Sequence, residues 1–138
     1  MIVKSDKLRA EIRRMWPGAT VVLTDPEWFA PGIGEVRDFI GSLPQPVFLD
    51  RVWECEEIAL ESVILQRQAQ VRAAGAGSVN LRVANWALGV AAGTRFADVD
   101  INHFCNLVLT DSGLVLIERQ TFNIWTPERG RDEVYFVF

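Results

Sequence analysis

The segment from Cys55 to Ala73 runs for nineteen residues without a glycine or a proline, and it constrains the fold more than any other feature of this chain. Most of its residues are good helix formers, so it predicts a helix of about five turns. Two mainly apolar stripes follow the helical period, one of Ile58, Ser62, Leu65 and Ala69 and the other of Leu60, Ile64 and Val71. Two such faces predict a helix that packs on more than one side.

Period-two patterns follow this helix and predict four strands, over Val79–Val90, Asn102–Thr110, Leu114–Trp125 and Glu133–Phe138. The middle two form a hairpin across Asp111, Ser112 and Gly113. The preceding region predicts a helix from Ser5 or Asp6 to Met15, a strand at Ala19–Leu23, a loop at Thr24–Gly32 and a helix at Gly34–Leu43. Helices first and antiparallel strands afterwards predict an α+β fold, and 138 residues suit one domain spanning residues 1–138.

Charge and hydropathy exclude several classes of function. The net charge of −4 argues against a surface for nucleic acid or for anionic membranes. No apolar run approaches the roughly 18 residues of a membrane span, and the first residues lack the apolar core of a signal peptide, so we expect a cytoplasmic protein. Two cysteines are too few for a disulfide framework.

The strongest candidate site combines Cys55, on the first turn of the predicted helix, with the only histidine, His103, and with Glu118. If Thr110 and Gly113 flank a two-residue hairpin loop, His103 lies opposite Gln120, and Glu118 is its diagonal neighbour on the same face. A register shift of one residue would move Glu118 to the other face.

A thiol, an imidazole and a carboxylate are the groups of a thiol-hydrolase site. The nucleophile is the thiolate, so the pKa of Cys55 must fall, and the N–H groups of a helix start favour an anion there. Glu54, Glu56 and Glu57 oppose this, because like charges raise the pKa of a thiol. We expect these glutamates either to point away from the thiol or to bind a cation.

Four short motifs resemble one family. The run Glu54–Ala59 is similar to an acidic-Cys-acidic-acidic signature, and His103–Asn106 to a His-x-x-Asn strand. Ile117–Thr121 is similar to an Ile-Glu-Pro-Gln-Thr strand in which Arg119 replaces proline, and Asp25–Trp28 to an upstream Asp-x-x-Trp segment. In order and spacing these motifs, between Val21 and Trp125, resemble proteins related to the C-terminal domain of the fungal agglutinin MOA, including stand-alone domains of phages and bacteria.

The resemblance implies a papain-like fold, with a cysteine-bearing central helix packed on an antiparallel sheet, and cleavage of peptide or amide bonds in a peptide or protein substrate. It implies that Cys55 is the nucleophile, His103 the general base, Glu118 the orienting acid and Gln120 a supporting residue. No cofactor is required for this chemistry, although the resemblance implies that Ca²⁺ supports activity.

Other interpretations of the same residues remain open. Cys55 is also consistent with a small buried side chain, and Cys105 is a second candidate thiol or a redox partner for Cys55. Two cysteines, His103 and Glu118 are possible zinc ligands by type, but no short Cys-Cys spacing supports such a site. A non-catalytic binding domain on the same scaffold is the competing class.

Three further groups complete the expectations. Gln45 and Asn85 are candidate donors for an oxyanion hole. Asp98 and Asp100 are candidate cation ligands. Strand alternation places Arg119 on the face opposite to Glu118, so we expect no ion pair between them.

Overall fold

The computed structural model describes residues 1–50, 54–75 and 85–138. These contain three helices, α1 (Ser5–Met15), α2 (Ile33–Ser42) and α3 (Cys55–Gly75). The strands are β1 (Ile2–Lys4), β2 (Thr20–Val21), β3 (Glu27–Phe29), β4 (Leu88–Phe96), β5 (Val99–Thr110), β6 (Gly113–Glu118), β7 (Asn123–Trp125) and β8 (Glu133–Val137). Helices pack against predominantly antiparallel sheets, which confirms the predicted α+β class with Cys55 on the central helix. No helix within the described ranges is long and apolar enough to cross a membrane.

Several predicted boundaries differ from the structure. Neither Ser5 nor Asp6 caps α1, because the N-cap is Lys4 and the Ser5 hydroxyl donates instead to the backbone oxygen of Asp25. The predicted loop at 24–32 contains β3, which forms by pairing with the distant β1. The predicted strand over 114–125 is two strands separated by a turn, in which Phe122 has a positive φ of 59°. Residues 79–84 of the first predicted strand lie outside the described residues.

The main sheet has the strand order β2-β8-β4-β5-β6-β7. The β5–β6 ladder pairs Thr110 with Gly113 and continues to Asn106 opposite Ile117, which confirms the predicted hairpin register. Beyond that pair, β6 no longer follows β5. Among the described residues, no strand therefore pairs with β5 near Phe104 on the β6 side, and α3 begins beside this segment.

The two faces of the sheet carry separate clusters of buried side chains. One face packs against α1 and includes Cys105, Leu107, Leu109, Leu114 and Leu116. The opposite face packs against α2 and α3 and includes Val108, Val115 and Ile117. Alternation along β5 and β6 therefore places His103 and Glu118 on the α1 face, and Asn106 and Arg119 on the α3 face.

Helix α3 buries one side, not two. Ile58, Ala59, Ser62 and Gln66 are almost fully buried against the sheet. The second predicted stripe is exposed: Ile64 and Val71 are 54% and 72% accessible. The prediction of two-sided packing is therefore wrong for the described residues, because the sheet covers only the side centred on Ser62.

Candidate active site

Nε2 of the His103 ring lies in hydrogen-bond contact with Oε2 of the Glu118 carboxylate. Their side chains are only 15% and 18% exposed, so the pair is largely shielded from water. The diagonal placement predicted from the hairpin register is thus present. Nε2 is the nitrogen engaged with the acid, which leaves Nδ1 as the ring atom available to a nucleophile.

The strand that carries Glu118 also supplies its second partner. The backbone N–H of Gln120 donates to Oε1 of Glu118 over 3.1 Å. Gln45 Nε2 donates in turn to the backbone oxygen of Gln120, over 3.1 Å. Gln120 thus contacts the acid through its main chain, and Gln45 reaches the same strand end.

The imidazole is held on its other side by an aromatic ring. Phe96 packs edge-on against His103, with ring centroids 5.9 Å apart and an interplanar angle of 79°. Gly93 permits this arrangement, because a Cβ at this position would lie 2.8 Å from the Phe96 ring and 2.3 Å from the backbone oxygen of Glu133. Phe96 and Glu118 together fix the ring orientation.

Cys55 lies at the first position of α3, half-buried, next to the Phe104 segment of β5. The backbone N–H groups of Phe104 and Glu56 lie close enough to its sulfur to lower its pKa. Phe104 immediately follows His103, so one strand segment presents both the imidazole and an N–H group near the thiol.

The net pKa of Cys55 is nevertheless raised. Burial contributes most to this increase, and Glu56 adds to it as a hydrogen-bond acceptor and as a like charge. The thiol Sγ lies 3.4 Å from Oε2 of Glu56. The lowered pKa of Cys55 that the chemistry requires is therefore absent from this conformation, in which the thiol is protonated near neutral pH, and the opposing effect expected of the glutamates is present for Glu56.

The three glutamates take different positions. Glu56 contacts the thiol, whereas Glu57 turns back and accepts the backbone N–H of Glu54 over 2.9 Å, as a helix-capping acid does. Of these two carboxylates, only that of Glu56 thus acts directly on the sulfur.

Several predicted partners do not converge on this site. Within the described part of the chain, the Cys55 thiol and the His103 ring share no hydrogen bond. Both cysteines are free, and Cys105 is buried, with a pKa raised well above its usual value mainly by burial. Asn85 donates to Asp25. Asn85 lies two residues before Ala87, whose backbone oxygen accepts a hydrogen bond from the N–H group of Leu109. Leu109 is roughly 16 Å along β5 from Phe104, which is the segment beside Cys55. Asn85 is therefore no oxyanion donor for Cys55.

The candidate cation ligands are also engaged elsewhere. Asp100 forms an ion pair with Arg95 at 3.0 Å, and Asp98 belongs to the tight β4–β5 turn with φ of 67°. Across residues 1–50, 54–75 and 85–138, no group of three or more His, Cys, Asp or Glu side chains is arranged to hold a metal ion. The described residues therefore contain no zinc site of the kind considered from the sequence.

Two anchoring residues on the α3 face were not recognised as such from the sequence. Asn106 is fully buried and donates from Nδ2 to the backbone oxygens of Ala59 and Gly89, over 2.8 and 3.0 Å. Arg119 is also fully buried, and its contacts are with α3 and with the backbone of Pro44, not with Glu118. The sequence predicted that Arg119 and Glu118 would not pair. A polar side chain at a strand position whose neighbours are apolar is the sequence feature that could have identified Asn106 and Arg119 as anchoring residues.

Comparison with known proteins gives the fold but no family. No family model matches the chain, and no curated protein matches it. A solved structure described as the PSL1a-E64 complex superimposes with a TM-score of 0.70 at 12% sequence identity. The match covers 99% of this chain and 50% of the other, so the chain spans about half the length of that neighbour. The protein therefore shares an α+β fold with that neighbour.

Proposed function

We propose that this protein is a thiol hydrolase that cleaves peptide or amide bonds with Cys55, His103 and Glu118, on a papain-like scaffold related to the C-terminal domain of MOA. One observation carries the proposal. His103, which is paired with Glu118, directly precedes Phe104, whose backbone N–H group lowers the pKa of Cys55. This proximity of a thiol, an imidazole and a carboxylate supports a nucleophile, a base and an orienting acid.

The reaction follows from the engaged ring nitrogen. Glu118 accepts a hydrogen bond from the Nε2–H group and thereby fixes the tautomer with a free Nδ1. This nitrogen takes the thiol proton after the thiol turns away from Glu56. The Cys55 thiolate attacks the substrate carbonyl carbon, and the amine leaves with the proton held by His103. A water molecule, deprotonated by His103, then hydrolyses the thioester and restores the thiol.

The structural neighbour supports this proposal through its ligand. PSL1a is in complex with E64, and we propose that E64 also binds this chain, at Cys55. An intact-mass increase after incubation with E64, mapped to Cys55 by peptide mass spectrometry, is the expected result. No adduct on the wild-type protein would remove this support.

Turnover of a mixed peptide library is the direct test. We expect Cys55→Ala and His103→Ala to abolish cleavage and Glu118→Gln to reduce it by about 10²-fold or more, because the amide no longer stabilises the imidazolium. Cys105→Ala is the matched control and should retain turnover, since that thiol is buried on the α1 face. Cleavage that survives Cys55→Ala would refute the proposal.

A second candidate is a non-catalytic binding domain that keeps the same scaffold, phage-encoded in the manner of the stand-alone relatives implied by the resemblance. The contact between the thiol and Glu56 favours it, because a protonated thiol is a poor nucleophile. This candidate predicts peptide binding without turnover, unchanged by Cys55→Ala.

Calcium is a further part of the proposal. A cation at Glu56 would remove the charge that raises the pKa of Cys55 and would free the thiol for His103. We expect faster alkylation of Cys55 with Ca²⁺ than with a chelator. No heat of binding in calorimetry, together with identical alkylation rates, would exclude this dependence.

A further inference from the structure

Arg119 is the largest fully buried side chain among the described residues, at 1% exposure. Its Nη1 donates to Oγ of Ser62 over 2.9 Å, and its Nη2 donates to the backbone oxygen of Pro44 over 2.7 Å. Nη2 also lies 3.5 Å from Oε1 of Glu61. One guanidinium therefore joins the end of β6 to α3 and to the segment that follows α2.

Burying a cation is costly, so this arrangement needs a reason. Burial lowers the pKa of Arg119, and Glu61 opposes that effect. Nε has no partner within the described residues, so the charge is only partly satisfied. A well-packed apolar side chain at such a position often gives the same stability. We therefore look to the position of α3 relative to β6, and not to stability, for what the guanidinium contributes.

The position of Arg119 in the sequence suggests what it places. It directly follows Glu118, and strand alternation turns the two side chains to opposite faces of the sheet. Glu118 holds the imidazole on one face. Arg119 holds Ser62, two turns after Cys55, on the other face. The helix with the thiol and the strand with the acid are thus connected through adjacent residues.

We propose that Arg119 is a positioning residue that sets the start of α3 against β5, so that the Cys55 sulfur stays at the Phe104 N–H group and within reach of His103. This inference rests on the proposed thiol hydrolase and adds a residue to it that touches neither substrate nor thiol. A displacement of about 1 Å at the sulfur is enough to reduce the rate by about 10²-fold.

Three variants test the proposal. Arg119→Met removes the hydrogen bonds and keeps most of the volume, and Arg119→Lys keeps the charge. Ser62→Ala removes the bond from Arg119, together with the bond from the Ser62 hydroxyl to the backbone oxygen of Ile58, with little change in packing. Ile12→Val, in the α1 cluster on the opposite face, is a control that costs about 0.5–1.5 kcal/mol of stability in a cluster that contains neither Arg119 nor Ser62.

The readouts are the alkylation rate of Cys55 against pH, measured by peptide mass spectrometry, and kcat and KM. We expect Arg119→Met to reduce Cys55 alkylation at pH 7 by about tenfold and kcat by 10- to 100-fold with little change in KM. The pH midpoint of alkylation should rise, since the sulfur loses the Phe104 N–H group that lowers its pKa. Arg119→Lys should recover part of each effect, and Ser62→Ala should show a smaller change in the same direction.

A purely structural role would lower the melting temperature of Arg119→Met and leave the Cys55 midpoint unchanged, as in Ile12→Val, and that result would overturn the proposal. If Arg119→Met does not fold, Ser62→Ala provides the test. An unchanged pH midpoint of Cys55 alkylation in Ser62→Ala would then overturn the proposal equally. Alkylation is measured without a substrate. If the wild-type protein shows no turnover, the proposed hydrolase activity is refuted. If the wild type turns over substrate but Arg119→Met alkylates at the wild-type rate, only the role of Arg119 is refuted.

Discussion

Replacing Glu56 by glutamine should make Cys55 more reactive. The substitution keeps the shape of the side chain and removes a carboxylate that contacts the sulfur, at 3.4 Å. Burial, the first cause of the raised pKa, remains. The pKa of Cys55 should therefore fall, and more thiolate should be present at every pH below it.

The structure sets the size of this effect. Two unit charges 3.4 Å apart repel by about 1.2 kcal/mol at the dielectric of water and by about fourfold more at an effective dielectric of 20. The lower figure corresponds to roughly eightfold more thiolate. Nucleophilicity falls as the pKa falls, with a Brønsted coefficient of about 0.4–0.5, so the net gain in rate is about threefold at least and about 100-fold at most.

Iodoacetamide alkylation of Cys55 at pH 7 measures this gain, with the rate profile between pH 6 and 10 giving the midpoint. Glu57→Gln is the matched control, because Glu57 caps the helix and does not contact the sulfur. It should change the rate less than twofold. A Glu56→Gln rate equal to that of the wild type, or an equal gain in Glu57→Gln, would show that the contact does not control the thiol.

Three further outcomes follow from the packing. Gly93→Ala should lower the free energy of unfolding by about 1–3 kcal/mol in urea titrations, since its Cβ would lie 2.3 Å from the Glu133 backbone oxygen. Gly41→Ala is the control, in helix α2 with open space around it, and should raise the free energy of unfolding by about 0.5–1 kcal/mol. Equal effects of the two substitutions would contradict the close approach of Gly93 to the Glu133 backbone. The raised pKa of Cys105 adds stability that is fully present at neutral pH and is lost as pH rises beyond about 8.5. The alkaline decline in unfolding free energy should therefore be shallower in Cys105→Ala, and an identical decline would count against this linkage. Asn106→Ala should cost about 2–3 kcal/mol, because two buried backbone oxygens lose their donor, and a loss below 0.5 kcal/mol in thermal unfolding would contradict that role.

The sequence alone determined the features that depend on neighbouring residues. Helical periodicity and the lack of Gly and Pro predicted α3 from Cys55 onward. The two-residue loop between Thr110 and Gly113 predicted the register that brings Glu118 diagonally to His103, because the side chains of a short hairpin alternate with a fixed period. The class of fold and the acid–imidazole pair therefore follow from local patterns in the chain.

Tertiary structure decided everything that joins distant segments. The β6–β7 turn carries no Gly or Pro, so the sequence predicted one strand there, and β3 forms only because β1 pairs with it. The partners of Arg119 lie 57 and 75 residues away, and Asn106 reaches Ala59 across 47 residues. The pKa of Cys55 likewise depends on how deeply α3 docks on β5. Local patterns cannot specify such contacts, because burial and hydrogen bonding between elements depend on the final packing of all of them.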